Sequence, residues 1–159
     1  MAERVEINPF MGTWYVHGCT PTFLDRDPHN ATESYELADK GRIKTTYRFR
    51  KGSFEAEEKV MHPVGKVFNK ETNAEWRMKF FGIFSAPYLI LYVDSDYEYT
   101  LVGHPNRKMA WLMSRSPEIA DDKYEELKQK LIERAYDLSE FVRVPQQWPE
   151  DSTTTAPAR

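Results

Sequence analysis

The chain has 159 residues and lacks the features that mark several protein classes. Cys19 is its only cysteine, so no disulfide can form within the chain, and a disulfide-stapled domain is excluded. Its 22 Lys and Arg are outnumbered by 25 Asp and Glu without any basic block, which argues against nucleic acid as a partner. No apolar run is long enough to cross a bilayer as a helix.

The two ends of the chain carry little apolar sequence. The first seven residues contain no stretch of the kind that forms a secretory signal peptide. We therefore expect a cytoplasmic or peripheral membrane location, or a secreted or periplasmic one if a signal peptide has been removed. The stretch after Gln146 is polar and contains three consecutive threonines, which predicts disorder. We expect one domain over residues 1–147 and a disordered tail over 148–159.

Aromatic residues and alternating strands are what the sequence has in abundance. Aromatics make up 14% of the chain, enough to build a large core or the wall of a cavity. In residues 43–50 apolar side chains alternate with polar ones, the period of a strand with one buried face. Further strands are predicted over residues 12–19, 33–37, 53 onward with a break at 62–63, 76–80, 88–93, 97–102 and 109–114. Most connections are short, which predicts an all-β, eight-stranded antiparallel up-and-down barrel.

The periodicity changes after the eighth strand. Tyr124, Leu127, Leu131 and Ala135 fall at helical spacing, which predicts one amphipathic α-helix that begins near Asp121. Its apolar stripe needs a partner surface, so we expect this C-terminal helix to pack on the outside of the barrel. A last short strand is predicted over residues 141–144.

Three short motifs then point to a family. The segment Gly12-Thr13-Trp14 resembles the Gly-x-Trp signature that opens the first strand of lipocalins. Asp94-Ser95-Asp96-Tyr97 and Ser114-Arg115-Ser116-Pro117 are similar to the second and third lipocalin motifs. The stretches 80–84, 112–117 and 136–141 resemble the branch that contains bacterial lipocalins, apolipoprotein D and temperature-induced lipocalins.

Strand parity places all three motifs at one end of the barrel. The resemblance implies that this end is closed, with the side chain of Arg115 packed over the ring of Trp14 as a cation–π contact. We expect the motif residues to be structural rather than catalytic. They are Gly12, Trp14, Asp94, Tyr97 and Arg115.

The resemblance also implies binding of a small hydrophobic ligand inside the barrel, with a fatty acid or a lysophospholipid as first choice. Strand alternation gives the inward, ligand-binding candidates, which are Tyr47, Phe49, Trp76, Met78, Tyr88, Tyr99 and Trp111. The alternative is that these side chains simply fill the barrel. Relatives usually carry Glu-Ile after Trp-Tyr, whereas this chain has Val16-His17, which predicts a more apolar interior.

One predicted loop at the open end is unusually apolar. It contains Phe81, Ile83 and Phe84, whose side chains either fold over the cavity or contact a membrane.

Other functions are less well supported by the residues. By parity with Trp14 the side chain of Cys19 points outward, so a catalytic thiol in the cavity is not expected. We expect no enzyme, and a lipocalin-type enzyme that acts on a bound lipid is kept as an alternative function. The four histidines lack metal-ligand spacing, and we expect no metal and no cofactor. A haem-binding barrel that uses His62, or His29 or His104 near the mouth, remains an alternative, as does a ligand-free barrel that binds a partner protein.

Overall fold

The computed structural model describes residues 1–80 and 84–150, and for Phe84 the backbone alone. The described strands are β1 (Gly12–Cys19), β2 (Pro28–Leu37), β3 (Arg42–Lys51), β4 (Glu58–Met61), β5 (Val64–Val67), β6 (Glu75–Phe80), β7 (Phe84–Val93), β8 (Tyr99–Gly103), β9 (Ala110–Ser114) and β10 (Val142–Arg143). The described α-helices are α1 (Ile7–Phe10) and α2 (Asp121–Glu133), and a 3-10 turn covers Asp39–Gly41.

The strands form one antiparallel sheet that closes on itself. From β1 to β4 and from β5 to β9 each strand pairs with the next in sequence, β10 pairs with β1, and β1 also pairs with β9, which closes the ring. Strands β4 and β5 both pair with β3 and form one barrel strand that is interrupted at His62-Pro63, because proline has no N–H to donate to the ladder. The predicted all-β, eight-stranded up-and-down barrel with a C-terminal helix is thereby confirmed.

Apolar side chains pack in two layers. The first fills the barrel interior and includes Phe10, Trp14, Ile43 and Trp76, all fully buried. The second lies outside the barrel, between the outer faces of β7–β9 and helix α2. Tyr124, Leu127 and Leu131 are the buried residues of α2, so the predicted apolar stripe does pack on the barrel wall.

A β-bulge in β1 changes the direction in which its last residues point. Val16 pairs with Met113 but Gly18 pairs with Leu112, so His17 is an extra residue on this strand. A Cβ atom on Gly18 would lie 2.7 Å from the ring of Phe141, which shows that Gly18 faces the outer layer. Cys19 therefore faces the barrel interior, where it is fully buried, and the prediction that it points outward is wrong.

Tyr99 is a second correction. It packs in the outer layer, with the ammonium of Lys123 from α2 lying 5.1 Å from its ring centroid. It was predicted to face inward because alternation normally separates a buried face from a wet one. Here α2 covers the outer face of β8, so both faces of the strand are apolar. The alternation of side chains therefore no longer shows which face points into the barrel.

The C-terminal segment after β10 contacts the barrel through Gln146 and Glu150. The side-chain amide of Gln146 donates hydrogen bonds to the carbonyls of Val16 and Ala31, so it bridges β1 and β2 where they separate. Glu150 forms a buried ion pair with Arg50, with 2.9 Å between Oε2 and Nε. Residues 148–150 of the predicted tail are among the described residues, and 151–159 lie outside them.

Candidate functional site

A small cavity lies inside the barrel, above the aromatic floor. Its volume is about 60 Å³. Its wall is mainly aromatic and apolar with one acidic residue; the lining residues are Glu33, Tyr35, Tyr47, Met61, Pro63, Met78, Phe80, Tyr88, Trp111 and Met113. A concave, mostly apolar site with few polar groups is the usual form of a small-molecule site.

Glu33 supplies a carboxyl group to this apolar wall. It lies on β2 between Trp14 of β1 and Tyr47 of β3, and its Oε2 atom is buried without a hydrogen-bond partner. Burial, with a smaller contribution from the negative charge of Asp25, raises the pKa of Glu33 to about 8. At neutral pH the group is therefore mainly protonated, and it can donate one hydrogen bond into the cavity.

Three tyrosine hydroxyls surround the same space. Those of Tyr35 and Tyr88 hydrogen-bond to each other, and that of Tyr47 donates to Oδ2 of Asp25 at 2.8 Å. Asp25 also accepts from the backbone N–H and the hydroxyl of Thr22, so it holds the loop between β1 and β2 over the cavity. Burial raises the pKa of all three tyrosines well above the ordinary value, which keeps them neutral.

The structure places the seven predicted ligand-binding residues differently. Tyr47, Met78, Tyr88 and Trp111 line the cavity. Phe49 and Trp76 are buried behind that wall, where Phe49 stacks on Tyr47 with 4.9 Å between ring centroids and Trp76 stacks on Tyr88 with 5.0 Å. Tyr99 lies outside the barrel, as described above.

Sequence reasoning missed several lining residues, above all Glu33. The departure at Val16-His17 predicts an interior without a carboxyl group, yet Glu33 places one there from the next strand. The signal for it is weak but present, because Glu33 has the same strand parity as the buried Tyr35. Met61 and Pro63 were missed because they flank the break between β4 and β5, where alternation is interrupted.

The barrel wall is incomplete beside the cavity. Within the described residues, β4 pairs only with β3, and its other edge carries no strand. Met61 at the end of β4 and Phe80 at the end of β6 both line the cavity next to this gap.

The opposite end of the barrel is closed by Arg115. Its guanidinium lies 3.8 Å from the ring centroid of Trp14 and donates hydrogen bonds to the carbonyls of Pro9, Thr13 and Tyr97. Gly12 has φ of +99°, and a Cβ atom there would lie 3.3 Å from Nη1 of Arg115.

Asp94 stabilises the neighbouring turn at this end. Its Oδ1 accepts from the N–H groups of Glu98 and Tyr99, and Tyr97 within the turn has φ of +54°. The five motif residues thus lie together at the floor of the barrel. They contribute to packing there, and none of them lines the cavity.

The reactive side chains near the barrel have partners that keep them inert. Burial raises the pKa of the Cys19 thiol, so it is not a thiolate at neutral pH. His17 lies 2.9 Å from Ser114, but the Ser114 hydroxyl donates to the carbonyl of Ser116, to which His17 Nε2 is also close. Because a carbonyl oxygen only accepts, His17 Nε2 carries a proton in this arrangement and cannot take one from the serine.

Among residues 1–80 and 84–150, no three His, Cys, Asp or Glu side chains are grouped so that they could hold a metal ion. None of the four histidines lines the interior cavity, and His29, a candidate near the mouth, packs against Phe54 instead. No helix in the described part of the chain is long and apolar enough to cross a membrane.

The predicted membrane-contact loop lies outside the described residues. This applies to Phe81 and Ile83, while of Phe84 only the backbone is described, as the first residue of β7. Other apolar side chains are exposed on the loop between β1 and β2, where Phe23 keeps 73% and Leu24 keeps 43% of its surface open.

Comparisons with known proteins agree with this architecture. Temperature-induced lipocalin-1 of Arabidopsis thaliana is 27% identical over 99% of this chain and 88% of its own. The outer membrane lipoprotein Blc of Escherichia coli is 28% identical over 92% of this chain and 82% of its own. Among solved structures, insecticyanin from the tobacco hornworm Manduca sexta has a TM-score of 0.70 at 17% identity, over 92% of this chain and 84% of its own. Lobster apocrustacyanin A1 has a TM-score of 0.66 at 17% identity, over 88% and 79%.

The family model for the lipocalin-like domain matches residues 5–146, which include the closed floor, every barrel strand and the helix that packs on them. The chain therefore belongs to the lipocalin-like family.

Proposed function

We propose that the protein binds one small hydrophobic molecule inside its barrel, and that this ligand is a single-chain lipid, either a fatty acid or a lysophospholipid. The observation that carries the proposal is the interior cavity, which is lined by aromatic and apolar side chains and lies beside the edge of β4 that is unpaired among the described residues. Membership of the lipocalin-like family supports the same function. Binding serves storage, transport or scavenging of the lipid, without a catalytic step.

The cavity is too small to enclose a whole lipid unless side chains in its wall move. Sites that enclose a whole small ligand usually measure about 300–1,000 Å³, whereas this one has about 60 Å³. An acyl chain must therefore displace side chains as it enters. Met61, Met78 and Phe80 stand beside the cavity, and methionine adapts readily because its side chain is unbranched and flexible. We place the acyl chain between β4 and β6, which share no strand pairing among the described residues.

The ligand source that we propose is a membrane surface, contacted from the open end. Phe23 and Leu24 are exposed there on the loop that Asp25 holds over the cavity. The name of the bacterial relatives, outer membrane lipoprotein, supports a peripheral membrane setting. The loop with Phe81, Ile83 and Phe84 is a second candidate for this contact.

Calorimetric titration with palmitate and with a palmitoyl lysophospholipid tests the proposal. We expect binding of one lipid per chain, and a dissociation constant that rises roughly tenfold in Met61→Trp, because the larger ring fills the gap. Val60→Trp is the matched control, since Val60 is the outward neighbour on the same strand and is exposed. If neither lipid binds the unmodified chain, or if both variants bind as it does, the proposed site is wrong.

A further inference from the structure

The barrel interior carries acidic groups without a basic partner. Oε2 of Glu33 is buried in the cavity wall with no hydrogen-bond partner, and Asp25 is buried next to it behind the hydroxyl of Tyr47. None of the described residues that line the cavity is Lys or Arg. Glu33 is half-buried as a residue, but a buried carboxyl oxygen without a partner costs stability, so Oε2 points to a group that a ligand supplies.

The rest of the wall suits a cation. The rings of Tyr35, Tyr47, Tyr88 and Trp111 surround the space into which Glu33 projects. The face of an aromatic ring carries partial negative charge and attracts ammonium groups, the more strongly where water is excluded. Aromatic rings around one acidic side chain form a site that attracts ammonium groups.

The size of the cavity matches such a head group. The cavity has a volume of about 60 Å³. A space of this size holds on the order of four water-sized groups. A trimethylammonium group consists of one nitrogen and three methyl carbons. A hydrocarbon chain attached to it can leave through the gap beside Met61 and Phe80.

We infer that the cavity binds the ammonium head of a single-chain amphiphile, with Glu33 as its counter-ion and the Tyr and Trp rings as its walls. This rests on the proposed function and narrows it, because it selects lipids whose head ends in an ammonium group. A fatty acid then keeps its carboxylate at the mouth, since no described lining residue supplies a cation to pair with it in the interior.

Binding of an ammonium ligand should release a proton from the protein. Because Glu33 is mainly protonated at neutral pH, an ammonium ligand that pairs with its carboxylate must displace that proton. The other titratable groups that face Glu33 come from the first loop, β1, β2, β3 and β7; they are Asp25, Cys19, Tyr35, Tyr47 and Tyr88. Burial keeps the cysteine and the tyrosines protonated, so the released proton comes from Glu33.

The experiment compares three probes that share one chain length. Dodecyltrimethylammonium, dodecanol and dodecanoate are titrated into the full chain by calorimetry, below their micelle concentrations, in two buffers of different ionisation enthalpy. We expect the ammonium probe to bind at least about tenfold more tightly than dodecanoate and to release roughly one proton at pH 7. Its affinity should rise about tenfold per pH unit from pH 6 to 7 and level off above about pH 8.

Glu33→Gln is the matching variant. It should weaken the ammonium probe at least about 30-fold while changing dodecanol less than about threefold, because only the cation needs the carboxylate. Glu36→Gln makes the same charge change on the exposed face of β2 and should alter neither. The proton count uses the unmodified chain, so the test does not depend on the folding of either variant.

The outcomes separate the two proposals. If dodecanoate or dodecanol binds as tightly as the ammonium probe and no proton is released, the ammonium site is wrong while lipid binding stands. If none of the three probes binds, both the ammonium site and the proposed lipid binding are overturned.

Discussion

Burial gives the Glu33 carboxyl group an acidity unlike that of an exposed glutamate. Its pKa is raised to about 8, mainly because the charged form loses its water. Between the ordinary pKa and this value the folded chain holds a proton that the unfolded chain has released. Stability therefore falls as the pH rises through this window and levels off above it.

The direction of this pH dependence predicts how Glu33→Gln changes the free energy of unfolding. Glutamine has the same shape and never ionises, so we expect the variant to be more stable than the unmodified chain at pH 8, by about 2 kcal/mol, and nearly equal to it at pH 4.5. Urea unfolding at the two pH values measures the difference. Glu36→Gln, on the exposed face of the same strand, should stay within about 0.5 kcal/mol at both. A gain for Glu33→Gln that does not depend on pH would show that burial does not perturb this group.

At the scale of elements, the C-terminal segment completes the barrel wall. Strand β10 pairs with the end of β1, and the backbone N–H of Asn30 donates to the carbonyl of Pro145. The side chains of Arg50 and Glu150 are only 1% and 8% exposed, so their ion pair is buried. The carbonyl of Ala56 accepts the remaining described hydrogen bond of the Arg50 guanidinium.

Removal of this segment should therefore destabilise the barrel. Truncation after Pro145 leaves the Arg50 charge without its carboxylate and removes the Gln146 bridge, which should cost about 3 kcal/mol or more. Truncation after Glu150 keeps every contact described above and should leave the free energy of unfolding unchanged. Chemical denaturation measures the free energy of unfolding of both chains. Equal stability of the two truncated chains would mean that the segment only lies on the barrel.

The same scale explains which elements could be predicted from the sequence. Strand β3 was clear because one of its faces is wet and the other buried, and α2 because its apolar stripe repeats at helical spacing. The direction of Cys19 was not predictable, since one extra residue at His17 reverses the parity. The direction of Tyr99 was not predictable either, because α2 makes both faces of β8 apolar.

At the scale of the whole molecule, the barrel follows from short connections between antiparallel strands, and the closed floor from three motifs that strand parity brings together. The cavity does not follow in the same way, because its volume depends on how Met78, Tyr88 and Trp111 pack against each other. The carboxyl group of Glu33 was also missed, since a single acidic residue in a short strand resembles a solvent-exposed one. A lipid that enters the barrel has to rearrange these side chains, so ligand binding should also stabilise the fold.

Native mass spectrometry of the purified full chain, followed by solvent extraction of whatever it carries, tests the central claim most directly. We expect a species heavier than the bare chain by the mass of one single-chain lipid, which collisional activation releases and extraction identifies. A chain that carries no lipid, and that gains no mass after incubation with palmitate or a lysophospholipid, would contradict the account and indicate a filled barrel.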